Sequence, residues 1–211
     1  MYYGQHNIDR FINKNYIKTP VPGGSFVELG AIDGVRFSNT KFFEENLGFT
    51  KGLLIEPVRE SFLRLVKNRP NCFCFNKAIH STLKQVEFLQ GDVNAVGCVE
   101  SIASEQFKNK WHSKSKLVTI PAVRLDTLLH ACKFEFIDFW SLDVEGSELE
   151  VLKSMDWKIP VGLLCVEMHN SDASEIDSFI REKGFELADC IGEVNNLYIN
   201  REYHRLNKIL S

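Results

Sequence analysis

The chain has no C-x-x-C pair among its six cysteines, no apolar run as long as a membrane span, and no excess of basic charge. Each absence removes a class of protein. Cys72, Cys74, Cys98, Cys132, Cys165 and Cys190 are scattered, and Cys74 and Cys165 lie in apolar runs where a thiol behaves as a small hydrophobe. That spacing does not support a secreted disulfide framework, so the thiols are read as reduced and the compartment as cytoplasmic. A net charge of −3 leaves no basic footprint for nucleic acid. The polar start MYYGQHNIDR is not a signal peptide, no segment reads as a membrane span, and no internal repeat or low-complexity stretch is present. What remains is a 211-residue chain, 44% hydrophobic and 25% charged, long enough for one sizeable core.

Residues 1–24 read as an N-terminal extension holding a short amphipathic helix with Ile8, Phe11 and Ile12, stopped by the Pro/Gly-rich stretch 19–24. From Ser25 the pattern alternates between strand and helix. The spacing predicts strands over Phe26–Leu29, Gly52–Ile55, Cys72–Phe75, Phe136–Leu142 and Val161–Met168. Helices are predicted over Asn39–Leu47, over Glu60–Lys67 with Phe62, Leu63 and Val66 at helical spacing, over Ser147–Met155 and over Ser174–Lys183. Phe185–Ala188 and Asn196–Ile199 follow with no helix between them and read as a hairpin. Residues 82–123 break the rhythm with an added strand at Val86–Leu89, a polar surface loop or short helix at 101–116 and a strand at 118–123. Repeated β-α units ending in a hairpin predict a doubly wound α/β fold with one antiparallel strand.

In such folds ligands bind beyond the carboxyl ends of the strands. The first strand runs SFVELGAIDG into Gly30 and Gly34, a G-x-x-x-G spacing and not the G-x-G-x-x-G of a pyrophosphate cradle, which favours a nucleoside without phosphates. Glu56 closes the apolar strand LLIEP, where a carboxylate accepts hydrogen bonds from both hydroxyls of a ribose; the alternative is a solvated Glu at a helix entry. Asp143 and Glu145 stand one residue apart at a strand mouth, suited to acid/base work, metal binding or recognition of a cation. Ser147 and Glu150 have capping-box spacing, which offers Glu145 a plain helix-start role instead. His169 is a candidate general base near neutral pH, or a structural partner. Asp143, Glu167 and Asn170 have the makings of a divalent-ion site.

The stretches FVELGAIDG, SNTKFFEENLGFTKGLLIEP and above all IDFWSLDVEGSELEVLKSMDW resemble the FkbM-type S-adenosylmethionine-dependent methyltransferases over about Ser25–Ile199. The resemblance implies a Rossmann-like seven-stranded methyltransferase sheet in residues 25–211, with a variable acceptor-side insertion at about 82–123. It implies a donor site in which Glu28, Gly30, Ala31, Asp33 and Gly34 lie along the methionine and ribose portions, and Ser38 and Asn39 face the donor's carboxylate end. Glu56 and Pro57 would hold the ribose, Asn76 and Ala78 would approach the adenine, and Asp143 would close the site near the amino group. The implied reaction is O-methylation, with a sugar hydroxyl of a glycan or glycosylated metabolite as acceptor. Catalysis is expected from His169, Asp143 and Glu145, and acceptor contacts from Glu145, Glu167, His169, Trp111 and His112. Related domains occur fused to glycosyltransferases, so the resemblance also implies a place as one domain of a larger glycan-building protein. A nicotinamide-dependent oxidoreductase on the same sheet and a catalytically inactive binding domain are the rival readings. Ile32 and Asp33 depart from the family's usual asparagine-rich turn.

Overall fold

The computed structural model describes residues 1–90, 97–99, 116–168 and 173–210. Its main sheet contains β1 (Gly24–Leu29), β2 (Phe49–Ile55), β3 (Phe73–Phe75), β8 (Ile137–Leu142), β9 (Val161–Glu167), β10 (Phe185–Ile191) and β11 (Asn195–Asn200). The spatial order is β10-β11-β9-β8-β1-β2-β3. Strands β3, β2, β1, β8 and β9 run parallel, and β11 pairs antiparallel with both β9 and β10. The doubly wound sheet with a terminal hairpin expected from the sequence is therefore present.

All six residues of β1 and all six of β8 are buried, as befits parallel strands covered on both faces. The two-residue period of the strands divides the core into two layers. Val27, Leu53, Trp140 and Leu164 face one side, where they meet α4 (Leu125–Ala131), α5 (Glu148–Lys153) and α6 (Ala173–Glu182). Phe26, Leu54, Phe139 and Leu163 face the other, against α1 (Ile8–Asn15), α2 (Lys41–Asn46), α3 (Arg59–Asn68) and the short α7 (Leu206–Ile209). Ile8, Ile12, Ile17 and Val21 are buried in this second layer, so residues before β1 contribute to the core.

One polar residue in the wholly buried β8 has its own compensation. The Asp138 carboxylate accepts hydrogen bonds from the Ser25 N–H at 2.9 Å, the Tyr203 hydroxyl at 2.8 Å and Arg205 Nε at 2.9 Å. The chain's last described turn is thereby tied to the centre of the sheet.

One local expectation needs correction. In α3 the buried residues are Ser61 and Leu65, while Leu63 is 56% and Val66 44% exposed. The 100° advance per residue puts 61 and 65 on the core stripe and turns 63 and 66 away from it. The strands expected at Val86–Leu89 and 118–123 are present and belong to a second sheet; residues 101–115 lie outside the described residues. β4 (Ala78–Ile79), β7 (Lys116–Val123), β5 (Gln85–Gln90) and β6 (Gly97–Val99) form a second sheet in that order. Val86 and Phe88 alternate with exposed Gln85 and Glu87, giving this sheet one packed face closed by Val58, Ala78, Val99 and Ile120. Among the described residues, no helix is long and apolar enough to cross a membrane.

Candidate active site

The carboxyl ends of β1, β2, β8 and β9 open on a cavity of about 310 Å³ that the second sheet borders through Ile79, Phe88 and Val99. Its floor is the turn after β1. Gly30 has φ +77°, and a Cβ there would stand 1.9 Å from the Asp143 carbonyl oxygen. Only glycine permits so close an approach of the β1 and β8 backbones. Ile32 also takes a left-handed conformation, φ +50°, rare for a β-branched side chain. Its N–H is thereby turned onto Glu56, donating to Oε2 at 2.9 Å, while the Val58 N–H donates to Oε1 at 2.7 Å.

Glu56 is 3% exposed, and burial pushes its carboxyl up to about 8 despite those two donors. Asn76 braces the same turn from outside, its amide donating to the carbonyls of Glu56 and Pro57 at 2.9 and 2.7 Å. It does not line the cavity, whereas its neighbours Lys77 and Ala78 do.

Opposite Glu56 lies an acidic wall. Asp143, Glu145 and Glu167 each offer a carboxylate oxygen, and these atoms lie within 4.8 Å of one another. Enclosure by protein raises the Asp143 carboxyl well above the usual range, and the charges of Glu167 and Glu145 raise it further. Glu145 is in the left-handed region at φ +55°, followed by Gly146 at φ +101°, so the D-V-E-G segment doubles back on itself. The clasp that holds it is Glu148, whose Oε1 accepts from the N–H groups of Val144 at 3.0 Å and Gly146 at 3.2 Å. This corrects the expected Ser147/Glu150 capping box. Ser147 makes no cap hydrogen bond because its backbone is not extended, and Glu150 instead bonds the Ser81 hydroxyl.

Of the residues expected at the site, Gly30, Glu56, Pro57, Ala78, Asp143, Glu145 and Glu167 share this cavity. Glu28, Ser38 and Asn39 do not reach it, because they are committed elsewhere. The buried Glu28 carboxylate accepts from Ser38 Oγ, the Asn39 N–H and Thr40 Oγ1 at 2.7–2.8 Å, with Arg69 3.7 Å away. Arg69 also donates to the Gly34 carbonyl and pairs with Glu44. The cluster fixes the loop from β1 to α2 from behind. Ala31 is buried under the turn, Gly34 packs against Arg69 and Leu65, and Asp33 caps its own loop by accepting from the Val35 and Arg36 N–H groups. His169, Asn170, Trp111 and His112 lie outside the described residues. Sequence reasoning missed Gln5, Ile32, Arg36, Phe37, Lys77 and Ser147 in the cavity wall. Lys77 carried a signal, since it follows a strand; Gln5 carried none.

A doubly wound sheet whose first strand ends in a glycine turn, with a buried acid closing the second strand and no phosphate-type glycine loop, defines a nucleoside-binding domain of the Rossmann-like methyltransferase class. Within that class the chain belongs to the FkbM methyltransferase family, which is S-adenosylmethionine-dependent: the family model for the methyltransferase FkbM domain matches residues 28–187. Among solved structures, the methyltransferase FkbM from Methylobacillus flagellatus KT is similar at TM-score 0.52 and 16% identity, covering 83% of this chain and 43% of its own. The chain thus spans less than half the length of that relative. A ribosomal protein L11 methylase from Lactobacillus delbrueckii subsp. bulgaricus aligns at TM-score 0.48 and 11% identity, covering 92% of this chain and 77% of its own. TrmK of M. capricolum, solved with S-adenosyl-homocysteine, aligns at TM-score 0.45 and 8% identity, covering 92% and 68%. No curated protein sequence matches the chain.

Proposed function

We propose that this cavity binds S-adenosylmethionine and that the chain methylates a hydroxyl oxygen, with a sugar in a glycan or glycosylated metabolite as acceptor. The observation that carries the reading is the pairing, in one cavity, of the buried Glu56 with the acidic wall of Asp143, Glu145 and Glu167. The chemistry of these groups fits the donor: a carboxylate for the ribose diol, and negative charge for an ammonium and a sulfonium. Gly30 lets the β1 and β8 strand ends close together beneath the cavity. The methyl group leaves the sulfonium as the acceptor oxygen attacks in line, and neutral S-adenosylhomocysteine remains.

This chain's residues position and deprotonate. Glu56 accepts from the ribose hydroxyls, Asp143 from the donor's ammonium, and Ala78 with Ile79 and Phe88 packs against the base. Glu145 and Glu167 accept from acceptor hydroxyls, and His169, two residues beyond Glu167, takes the proton that the attacking oxygen loses. Trp111 and His112 contribute further acceptor contacts. The sugar acceptor and membership of a larger glycan-building protein rest on the family resemblance, and a cytoplasmic setting rests on the scattered cysteines.

A second reading concerns the acidic wall alone. The spacing of Asp143, Glu145 and Glu167, with Asn170 three positions beyond Glu167, suits one divalent cation that would orient an acceptor diol. Chelator treatment that leaves the rate unchanged would dispose of it.

Calorimetry with S-adenosylmethionine, S-adenosylhomocysteine and NAD tests the donor: binding of the first two and not the third is expected. Binding of NAD alone would favour an oxidoreductase. An acceptor screen over methylatable glycans, read by the mass gain of one methyl group, tests the reaction. Donor binding with no methylated product across the screen would favour the inactive binding domain. His169→Ala should abolish turnover while keeping donor affinity; unchanged turnover removes His169 from the mechanism.

A further inference from the structure

The cavity's charges are unevenly distributed. Four lining residues are acidic, Glu56, Asp143, Glu145 and Glu167, and two are basic, Arg36 and Lys77. Neither basic side chain has an ion-pair partner among the described residues; the Arg36 guanidinium instead lies 4.6 Å from the centroid of the Phe37 ring. Their positions differ along the sheet. Lys77 follows β3, on the far side of Glu56 from β1, whereas Arg36 hangs from the loop after β1, between the Glu56 and Asp143 strand ends.

A donor whose ribose sits at Glu56 and whose ammonium sits at Asp143 runs from β2 across β1 toward β8. It passes Arg36 and leaves Lys77 behind. Its amino-acid end also carries a carboxylate, bonded to the same carbon as the ammonium. Three carboxylates clustered within 4.8 Å repel that group, so a cation is needed on the β1 side. Ser38 and Asn39 do not line the cavity: Ser38 Oγ donates to Glu28, and the Asn39 amide donates to Ser141 Oγ.

The local structure holds Arg36 in place. Asp33 Oδ1 accepts from the Val35 and Arg36 N–H groups at 2.9 and 2.8 Å, setting the turn. Phe37 follows in the left-handed region at φ +61°, tied by a parallel bridge to Gly4. That bridge brings Gln5 into the same wall of the cavity. Resting on the donor-site reading above, we infer that Arg36, with the Gln5 amide beside it, binds the α-carboxylate of the donor's methionine portion. Gln5, far ahead of β1, is then part of the donor pocket. Arg36 offers a fork of N–H groups matched to a carboxylate, and its stacking on Phe37 limits the freedom lost on binding.

The test compares two ligands that differ in the amino-acid end. S-adenosylhomocysteine carries it; 5′-methylthioadenosine lacks it. Affinities are measured by calorimetry for the wild type and for Arg36→Ala, Gln5→Ala and Lys77→Ala, with thermal melting to verify folding. Arg36→Ala should weaken S-adenosylhomocysteine at least about tenfold and change 5′-methylthioadenosine less than about twofold. Gln5→Ala should show the same selectivity at about threefold, and Lys77→Ala none. Equal losses for both ligands in Arg36→Ala, no loss for either, or the selective loss appearing in Lys77→Ala overturns the assignment. A wild type that binds neither ligand overturns the donor-site reading itself, and the assignment with it.

Discussion

Glu56 links donor binding to pH. The carboxyl is 3% exposed and is pushed up to about 8 by burial. At pH 7 about 0.9 proton per free site is therefore held there. Two ribose hydroxyls donating to this group need it ionised, so ligand binding drives the proton off. Binding of S-adenosylhomocysteine should release about 0.9 proton at pH 7, about 0.5 at pH 8 and about 0.1 at pH 9. The affinity follows: Kd should fall about tenfold per pH unit well below 8 and level off above it, a change of roughly 100-fold, or about 2.7 kcal/mol, between pH 6 and 9. Calorimetry in buffers of different ionisation enthalpy reads the proton count directly. Glu56→Gln should bind more weakly and release about 0.9 fewer protons at pH 7, with the slope reduced to match and any release from Asp143 left in place. No proton release by the wild type at pH 7, or the same slope in Glu56→Gln, would refute the placement of the ribose on an ionised Glu56. On the unliganded fold the sign is opposite. Because the folded value is raised, the stability this group contributes is fully present below its ordinary 4.5 and is lost as the pH rises through about 8.

Three further perturbations read other parts of the argument. Gly30→Ala combines a strained φ with a 1.9 Å approach to the Asp143 carbonyl oxygen. It should cost at least about 2 kcal/mol in urea unfolding, and a loss under about 1 kcal/mol would mean the strand ends are free to part. Arg69→Met leaves the Glu28 carboxylate buried without its counter-charge. A loss of about 3–5 kcal/mol is expected by the same measurement, eased when Glu28→Gln is added, and simple additivity of the two would count against direct coupling. Glu167→Gln removes one of the charges that raise Asp143. It should raise the melting temperature at neutral pH by a degree or more while cutting turnover by about 100-fold; unchanged turnover would take the acidic wall out of catalysis.

The acids at the site were legible because the chemistry lies in short runs of sequence. LLIEP places an acid directly at the end of an apolar strand, and FWSLDVEG does the same, so Glu56 and Asp143 could be aligned with strand ends without coordinates. Glu28 misled for the same reason. It has the spacing of a ligand-facing acid, but its side chain turns into the core layer, where Ser38, Thr40 and Arg69 meet it. Arg69 lies 41 positions downstream, and no local pattern marks a lone arginine after a helix as the counter-charge of a strand residue. Glu148 was passed over in favour of Ser147 and Glu150, because capping spacing is a sequence rule while the left-handed Glu145-Gly146 turn that it clasps is a tertiary outcome.

By itself, the sequence determined the alternation of strand and helix, the terminal hairpin, the glycine turn after β1 and the acids at two strand ends. Periodicity and local backbone chemistry specify these over ten residues or fewer. Only the tertiary structure decided which polar residues serve the cavity and which hold its loops, and that the N-terminal Gln5 stands beside Arg36 in the pocket wall. Such assignments depend on side-chain direction and on contacts between distant segments, which a one-dimensional pattern does not encode. The turn SFVELGAIDG illustrates both halves: its glycine belongs to the cavity floor, while its first acid, Glu28, belongs to the scaffold behind it.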